Sequence, residues 1–361
     1  MASVAIVGVS GYSGLELLRL LANTQGFEVT AAYSDRAAGT RLADLLPAGD
    51  PARQRLSDAL VVRPQADASS AWKDASFVAL ATPAEVSAEL APALIAQGAR
   101  VLDLSGAFRL RDVAVFRRFY KFEHPSPTLL AGVPYGLPQC LRTHAGSIAT
   151  AKLVANPGCY ATAAILSLAP LLEARLIEAN GIFIDGKSGV SGAGRKIAES
   201  TMFMEVGENV TAYRVANHQH TPEIELALSR AAGNDVEVTF APHLLPLSRG
   251  LMTTSFARLT RAVSSADMLE VFGRAYRNVP GLDGTAQSLP AVEVTSIDRA
   301  TIHAVARTNV ARIGLTVDEE KRTIVVVCAL DNLLKGAASQ ALENLYAMAR
   351  GSDPDAQRPA S

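Results

Sequence analysis

Cys159 stands in a segment whose residue types suit a nucleophile. Pro157 and Gly158 precede it, and an apolar stretch of helical character, residues 161–172, follows it. Proline fixes its own φ and glycine permits a tight turn, so we expect the cysteine at or near the first turn of the helix. Unpaired N–H groups and the positive end of the helix dipole favour a thiolate there. The spacing predicts a reactive thiol; the alternative is a buried, inert cysteine.

A glycine-rich turn lies between the first predicted strand, residues 4–7, and the first predicted helix, residues 15–22. Glycines let the backbone approach a phosphate, and a helix N-terminus attracts an anion. The spacing G-x-x-G-x-x-G departs from the dinucleotide fingerprint G-x-G-x-x-G, and a turn without a ligand is the alternative. The predicted cofactor contacts in this turn are Gly8, Ser10, Gly11, Tyr12, Ser13 and Gly14.

The end of the second predicted strand, residues 29–33, bears on the choice of cofactor. Ser34, Asp35 and Arg36 follow it directly. An acidic residue there binds a ribose 2′-hydroxyl and favours NAD. A serine and an arginine suit a 2′-phosphate instead. The chain carries both signals. We favour NADP, with contacts from Ser34 and Arg36; a solvated loop charge is the alternative for Arg36.

Two histidines, His218 and His220, precede a predicted helix and are candidates for acid–base chemistry. Histidine titrates near neutral pH, which suits proton transfer. Neither a nearby cysteine nor a third spaced histidine supports a metal site, so no metal is expected. The residues leave open which histidine moves the proton, and a surface position is the alternative for both.

Three further segments carry groups suited to anions. Residues 186–196 combine glycines, hydroxyls and cations, although they do not form a Walker loop; a flexible basic loop is the alternative. Ser105 and Arg109 follow a predicted strand at its C-terminal edge, where ligands of doubly wound sheets collect. Asn332 lies near the start of the last helical pattern, residues 331–348, and an ordinary capped helix is the alternative there.

Short apolar runs alternate with helical patterns in the first half of the chain, which predicts a doubly wound parallel sheet of Rossmann type. Strands are predicted at residues 4–7, 29–33, 77–81 and 101–104, and helices at 15–22 and 83–97. Period-2 stretches in the second half are typical of a partly antiparallel, half-exposed sheet. Strands are predicted there at residues 181–186, 236–241, 251–259 and 324–330. The predicted class is α/β, with a second α+β domain.

Composition limits the function classes. A length of 361 residues predicts two domains, with three as the alternative. The formal net charge of −1 gives no reason to expect nucleic acid or an anionic membrane as partner. The sequence contains no run of 18 uncharged apolar residues, so no membrane span is expected. The N-terminus is predicted to be a first strand rather than a signal peptide. The three cysteines are far apart and form no disulfide framework, which favours a reducing cytoplasm.

Eight motifs, taken in order, resemble those of the N-acetyl-γ-glutamyl-phosphate reductase family, the NADP-dependent semialdehyde dehydrogenases of arginine biosynthesis. The motifs lie at residues 8–17, 103–105, 108–110, 131–138, 156–160, 188–196, 218–224 and 331–338. The resemblance covers nearly the whole chain. It departs at Ala161, where the family commonly has proline, at Gln139 for glutamate, at Gln219 for arginine, and at residues 81–83. None of these departures removes a reactive group.

The resemblance implies a semialdehyde dehydrogenase-like architecture. An NADP-binding domain is expected at residues 1–155 and 331–350, and a catalytic, substrate and oligomerisation domain at 156–330. Residues 351–361 are polar and predict a disordered tail. The sheet of the second domain is the expected self-association surface of a homodimer or homotetramer.

The family mechanism assigns roles to the candidate residues. Cys159 attacks an acyl phosphate and forms a thioester, NADPH supplies the hydride, and His220 or His218 stabilises the oxyanion and moves the proton. Further cofactor contacts are expected at Ser188, Gly189 and Asn332. Substrate contacts are expected at Ser105, Arg109, Asn156, Ser188, Lys196 and Tyr213.

Other activities compete with this interpretation. Semialdehyde dehydrogenases of the aspartate or aminoadipate type share the scaffold and differ in the acid. A protein of another class, a nucleotide sensor that has lost catalysis, would retain the glycine-rich turn. It would not need Cys159, His218 and His220 together, which favours the enzyme.

Overall fold

A computed structural model of the chain describes residues 1–139, 145–195, 197–277 and 291–350. The predicted substrate contact Lys196 and the predicted tail at 351–361 lie outside the described residues. The chain divides into two compact units. The first comprises Met1–Leu137, Thr143–Pro157 and Ala337–Ser361, and the second comprises Pro138–Arg142 and Gly158–Gly336.

The first unit is built on a five-stranded sheet in the order β2-β1-β3-β4-β5. Its strands are β1 (Ala2–Val7), β2 (Phe27–Tyr33), β3 (Phe77–Leu80), β4 (Arg100–Asp103) and β5 (Leu153–Ala155). All four pairings are parallel, as the alternating pattern predicts. Strand β3 is buried along its whole length, because helices cover both faces of such a sheet.

The helices of this unit that lie before Gly158 in the chain are α1 (Tyr12–Ala22), α2 (Ala84–Ala96), α3 (Val113–Tyr120), α4 (Pro127–Leu130) and α5 (Ala145–Thr150). Short 3-10 helices occupy Asp35–Ala37, Leu42–Leu45, Pro51–Arg55 and Gln65–Lys73. The predicted helices at 15–22 and 83–97 correspond to α1 and α2. Helix α1 begins three residues earlier than predicted, within the glycine-rich segment Gly8 to Gly14, since Tyr12, Ser13 and Gly14 already have helical conformation.

The second unit contains a seven-stranded sheet in the order β10-β11-β12-β9-β6-β8-β7. Its strands are β6 (Ile182–Gly189), β7 (Thr211–Ala212), β8 (Val238–Leu245), β9 (Leu251–Arg258), β10 (Val292–Thr295), β11 (Ala311–Asp318) and β12 (Thr323–Leu330). Pairs β6–β8 and β10–β11 are parallel, and the others are antiparallel. The predicted mixed sheet is confirmed, and β9 alternates buried residues with more exposed ones.

The helices of the second unit are α6 (Cys159–Glu173), α7 (Phe203–Val206), α8 (His220–Ala232), α9 (Ser265–Tyr276) and α10 (Ile302–Val305). Single turns of 3-10 helix lie at Val190–Ala193, Glu199–Thr201 and Ile297–Arg299, and a π-helical turn lies at Leu334–Ala338. The chain ends its described part in the first unit with α11 (Ser339–Arg350). The single helix predicted at 331–348 is therefore replaced by a π-turn followed by an α-helix.

Helix α6 is the central helix of the second unit. Every residue between Tyr160 and Leu172 is buried, and the helix packs against α8, β9 and β12. A helix that is apolar on all sides belongs in a core, which explains its composition. Its first residue is Cys159, so the thiol is attached to one of the most firmly packed elements of the unit. No described helix is long and apolar enough to cross a membrane.

Candidate active site

The structure places Cys159 at the first position of α6. Gly158 is the N-cap residue, has extended backbone geometry, and provides no side-chain cap. The thiol is partly exposed, whereas Cys328 on β12 is buried. A thiolate at this position gains from the positive end of the helix dipole. The local geometry is the one that the Pro-Gly bend predicts.

Gly336, in the π-turn, backs the cysteine. A Cβ atom at Gly336 would lie 2.7 Å from the Cβ of Cys159, so only glycine fits this position. The Gly336 N–H donates to the carbonyl oxygen of Asp331 at 2.9 Å. The Asp331 carboxylate in turn accepts two hydrogen bonds of 3.0 Å from the guanidinium of Arg249. This ion pair, in which Asp331 is fully buried, fixes the π-turn that packs against Cys159.

Glu223 connects the cysteine turn to the histidines. Its side chain is 1% exposed, and one oxygen accepts a hydrogen bond of 2.8 Å from the Gly158 N–H. The other oxygen lies 3.9 Å from Nε2 of His220. Glu223 is not among the site residues predicted from the sequence. The available signal was an acidic residue three positions after the start of a helix, a spacing common in helix capping.

His218 is enclosed by aromatic rings. The ring centroids of Tyr160, Tyr213 and Phe240 lie 5.9, 5.6 and 5.4 Å from its own. Burial, with smaller contributions from neighbouring positive charges, lowers the pKa of His218 to about 2. Its Nδ1 accepts a hydrogen bond of 3.1 Å from the His220 N–H. His218 is therefore neutral at working pH and holds the start of α8.

His220 is the first residue of α8 and is 8% exposed. Its ring centroid lies 4.7 Å from that of His218 and 6.1 Å from that of Tyr160. The sequence left open which histidine is the acid–base group. The two histidines therefore lie together but in different surroundings, with His218 among aromatic rings and His220 facing the Glu223 carboxylate.

Two tyrosines surround the histidines. Burial raises the pKa of Tyr213 to about 12, and burial also raises the pKa of Tyr160. The Tyr160 hydroxyl donates to the carbonyl oxygen of His243 at 3.1 Å. Both phenols therefore stay protonated at neutral pH.

The structure brings Ser188, Gly189 and Asn332 into one cluster in the second unit. Ser188 is the next-to-last residue of β6, is 2% exposed, and donates to the carbonyl oxygen of Gly189 at 3.1 Å. Asn332 donates to the Ser191 hydroxyl at 2.9 Å and accepts from the Gly250 N–H at 2.8 Å. These bonds hold the glycine-rich loop beside the end of β12.

The predicted phosphate turn lies in the first unit. Gly8 has a φ of +84°, and a Cβ atom there would lie 2.4 Å from the carbonyl oxygen of Ala81. A Cβ atom on Gly14 would lie 2.4 Å from the Gly8 carbonyl oxygen. Gly11 is the N-cap of α1 and makes no side-chain cap, so backbone N–H groups face the turn. The chemistry of this turn fits a dinucleotide pyrophosphate.

The turn continues to the end of β2. The hydroxyls of Ser10 and Ser34 lie 2.6 Å apart, so the two predicted cofactor residues are in contact. The carboxylate of Asp35 accepts a hydrogen bond of 2.8 Å from the Gln65 N–H, and both Asp35 and Arg36 are exposed. The acidic residue thus contacts a segment 30 residues further along the chain.

Three predicted substrate contacts make hydrogen bonds within the first unit. Arg109 donates through Nε to the carbonyl oxygen of Asn156 at 2.8 Å and through Nη2 to that of Leu104 at 2.9 Å. The hydroxyl of Ser105 accepts from the Ala107 N–H at 3.1 Å. The Asn156 amide is also engaged, with a bond of 2.7 Å to Ala337. These contacts order the loops that follow β4 and β5. Among the described residues, no cluster of three His, Cys, Asp or Glu side chains is placed to hold a metal ion.

Two family models match the chain. The semialdehyde dehydrogenase NAD-binding domain matches residues 3–148, and the semialdehyde dehydrogenase dimerisation domain matches residues 159–332. Solved structures with the same fold include aspartate semialdehyde dehydrogenase II from Vibrio cholerae, with a TM-score of 0.72 at 15% identity over 97% of this chain and 98% of that one. The enzyme from Candida albicans has a TM-score of 0.69 at 15% identity, over 98% and 99%. The fold and site define a semialdehyde dehydrogenase.

Closer relatives narrow this class. An N-acetyl-gamma-glutamyl-phosphate reductase from Pelotomaculum thermopropionicum is 43% identical over 342 residues, which is 95% of this chain and 93% of the relative. One from Geobacter metallireducens is 41% identical over 350 residues, 96% and 95% of the two chains. The chain belongs to the N-acetyl-γ-glutamyl-phosphate reductase family, as the eight motifs predict.

Proposed function

We propose that the protein reduces N-acetyl-γ-glutamyl phosphate to N-acetylglutamate 5-semialdehyde, releasing phosphate, in arginine biosynthesis. The observation that carries the proposal is the placement of Cys159 at the start of α6, beside a carboxylate that also reaches His220. This arrangement supplies a nucleophile and a proton carrier in one unit. The identity of the substrate is inferred from the names of the relatives.

The first half of the reaction is acyl transfer. The Cys159 thiolate attacks the carbonyl carbon of the acyl phosphate, a C–S bond forms, and the C–O bond to phosphate breaks. Inorganic phosphate leaves with the electron pair of that bond, and a thioester remains on the sulfur. The helix dipole favours the thiolate, the only form of cysteine that attacks well at neutral pH.

The second half is reduction. NADPH, when bound, supplies the hydride that reduces the thioester carbonyl. His220 holds a proton at the resulting oxyanion and takes it back when the C–S bond breaks and the aldehyde leaves. The neutral His218 fixes the start of α8 rather than moving a proton. Contacts to the substrate phosphate or carboxylate are proposed for Ser105, Arg109, Asn156, Ser188, Lys196 and Tyr213.

The nicotinamide cofactor is proposed to be NADP. The first unit offers the glycine-rich turn, Gly8 to Gly14, for the pyrophosphate, and Ser34 and Arg36 for the 2′-phosphate. The Asp35 carboxylate already accepts a hydrogen bond from the Gln65 N–H, and the Arg36 guanidinium is exposed beside it at the end of β2. Ser188, Gly189 and Asn332 are proposed to complete the cofactor contacts from the second unit.

Replacing Arg36 with alanine tests the cofactor assignment. We expect the KM for NADPH to rise roughly 10- to 100-fold, since one charged hydrogen bond contributes about 1.5–3 kcal/mol. The KM for NADH should stay unchanged. The control is Arg55→Ala, another exposed arginine of the same unit. Steady-state kinetics with both cofactors measure the difference. An equal effect on NADPH and NADH would remove Arg36 from the 2′-phosphate site.

The second unit is the proposed self-association region, as a homodimer or homotetramer. The dimerisation-domain match covers it, and its sheet exposes Phe183 and Phe256 on paired strands. Apolar side chains exposed together are typical of an interface.

The proposed location is the cytoplasm, because a protein with a reactive thiol suits a reducing compartment.

The substrate is tested in the reverse direction. The purified protein is given phosphate, NADP and one of three aldehydes: N-acetylglutamate semialdehyde, aspartate semialdehyde or the aminoadipate analogue. We expect phosphate-dependent NADP reduction with the first and at least about a hundredfold lower kcat/KM with the others. Preference for either alternative aldehyde would reassign the substrate. No turnover of any aldehyde would favour a nucleotide-binding protein without catalysis.

A further inference from the structure

Glu223 occupies a costly position for a carboxylate. It lies in the first turn of α8, three residues after His220, and its side chain is 1% exposed. Burying a charge lowers stability unless hydrogen bonds or an opposite charge compensate for it. Groups that interact with a carboxylate must therefore lie nearby, and each of the two Glu223 oxygens faces such a group.

Each oxygen faces a different part of the site. Oε1 accepts the hydrogen bond of 2.8 Å from the N–H of Gly158, the residue before the nucleophile. Oε2 lies 3.9 Å from Nε2 of His220. One side chain thus contacts both the turn that presents Cys159 and the ring that the proposed reaction uses for proton transfer. Moving Glu223 would change the spacing between the two.

We propose that Glu223 is a positioning residue for the reaction. Its hydrogen bond holds the turn before Cys159, and its charge orients the His220 ring and favours the protonated imidazole. This inference rests on the proposed function, in which His220 carries the proton. A carboxylate that orients a catalytic histidine and stabilises its imidazolium is an arrangement that serine hydrolases also use.

The charges around His220 determine the sign of the effect. Tyr160 faces it from α6 and is itself next to Cys159, and His218 faces it from the segment before α8. Arg214 acts on His218 from the same segment. A nearby negative charge favours the protonated form of an imidazole. Loss of the Glu223 charge is therefore expected to make His220 release its proton at lower pH.

Glu223→Gln separates the two roles. The amide keeps an oxygen that accepts the Gly158 N–H but removes the charge beside His220. The matched control is Glu225→Gln on the same helix, where the carboxylate accepts a hydrogen bond of 3.2 Å from the Val238 N–H. Thermal unfolding shows whether each variant is folded, and Glu223→Asp tests whether a retained charge restores rate.

We expect Glu223→Gln to lower kcat roughly 10- to 100-fold with KM for the acyl phosphate changed less than about twofold. NMR of labelled histidines, with His220→Asn to assign the signal, should show the His220 titration midpoint about one pH unit lower. Glu225→Gln should change neither quantity, and Glu223→Asp should recover part of kcat and the midpoint.

An unmoved His220 midpoint in folded Glu223→Gln, or an equal shift in Glu225→Gln, overturns the inference. So does an unchanged kcat. The NMR titration needs no substrate, so it tests the effect of Glu223 on His220 even if the substrate differs from the proposed one. Failure of the wild-type protein to turn over N-acetyl-γ-glutamyl phosphate would refute the proposed function alone.

Discussion

Cys159→Ser is expected to abolish turnover. In single-turnover assays with the acyl phosphate and NADPH, we expect the rate to fall by about 10³-fold or more, because a hydroxyl at this position is not ionised at neutral pH. The helix dipole that favours a thiolate cannot compensate for the much higher pKa of an alcohol. Without NADPH, the wild-type protein should accumulate an acyl group on Cys159, detected by mass spectrometry as a hydroxylamine-sensitive adduct.

The matched control is Cys328→Ala. Cys328 is buried on β12 and lies outside the proposed chemistry, so this variant should retain the single-turnover rate even if stability falls. Retention of the full rate by Cys159→Ser would refute the thioester mechanism. An acyl adduct on another cysteine would move the nucleophile.

Gly8→Ala is expected to remove cofactor binding. The new methyl group would lie 2.4 Å from the carbonyl oxygen of Ala81, and the φ of +84° is itself unfavourable for alanine. The β1–α1 turn must shift, and it then loses backbone N–H groups to the pyrophosphate. We expect NADPH affinity to fall roughly 100-fold or more, the loss of one or two charge-assisted hydrogen bonds of about 1.5–3 kcal/mol each. Isothermal titration calorimetry measures it.

Gly39→Ala separates strain from collision. Gly39 lies in the same unit with a φ of +82°, and a Cβ atom there meets nothing within 4 Å. Its substitution should cost about 1–2 kcal/mol of stability through backbone strain and leave NADPH affinity unchanged. Gly8→Ala binding NADPH as tightly as Gly39→Ala would show that the close approach at Ala81 does not shape the cofactor site.

Local signals predicted the elements that carry the chemistry. The Pro-Gly bend predicted Cys159 at a helix start, and the turn at Gly8 followed the first strand as expected. Strands β5 and β7 were missed because they have three and two residues, too few for a periodic pattern. The eight-residue strand β11 was missed as well. The last helix was placed too early, because Asp331 caps a π-turn before α11 begins.

Contacts between distant residues limited the prediction of the site. The bond from Gly158 to Glu223 joins residues 65 positions apart, and no periodicity reports such a pair. His218 and His220 are the same residue type and lie two positions apart, so the sequence alone does not show which of them differs in environment. Their surroundings distinguish them: Tyr213 and Phe240 pack against His218, and Glu223 faces His220. The packing around His218 depends on the position of β8, which carries Phe240.

Because α6 is buried on every side, the position of the Cys159 thiol depends on the stability of the whole second unit. Local unfolding begins where few apolar contacts resist it, and α6 has the opposite character from Tyr160 to Leu172. The amides of this helix should exchange their hydrogens only through opening of the whole second unit. We therefore expect heat to inactivate the site through unfolding of the second unit as a whole, because the buried turns that follow Cys159 do not open alone.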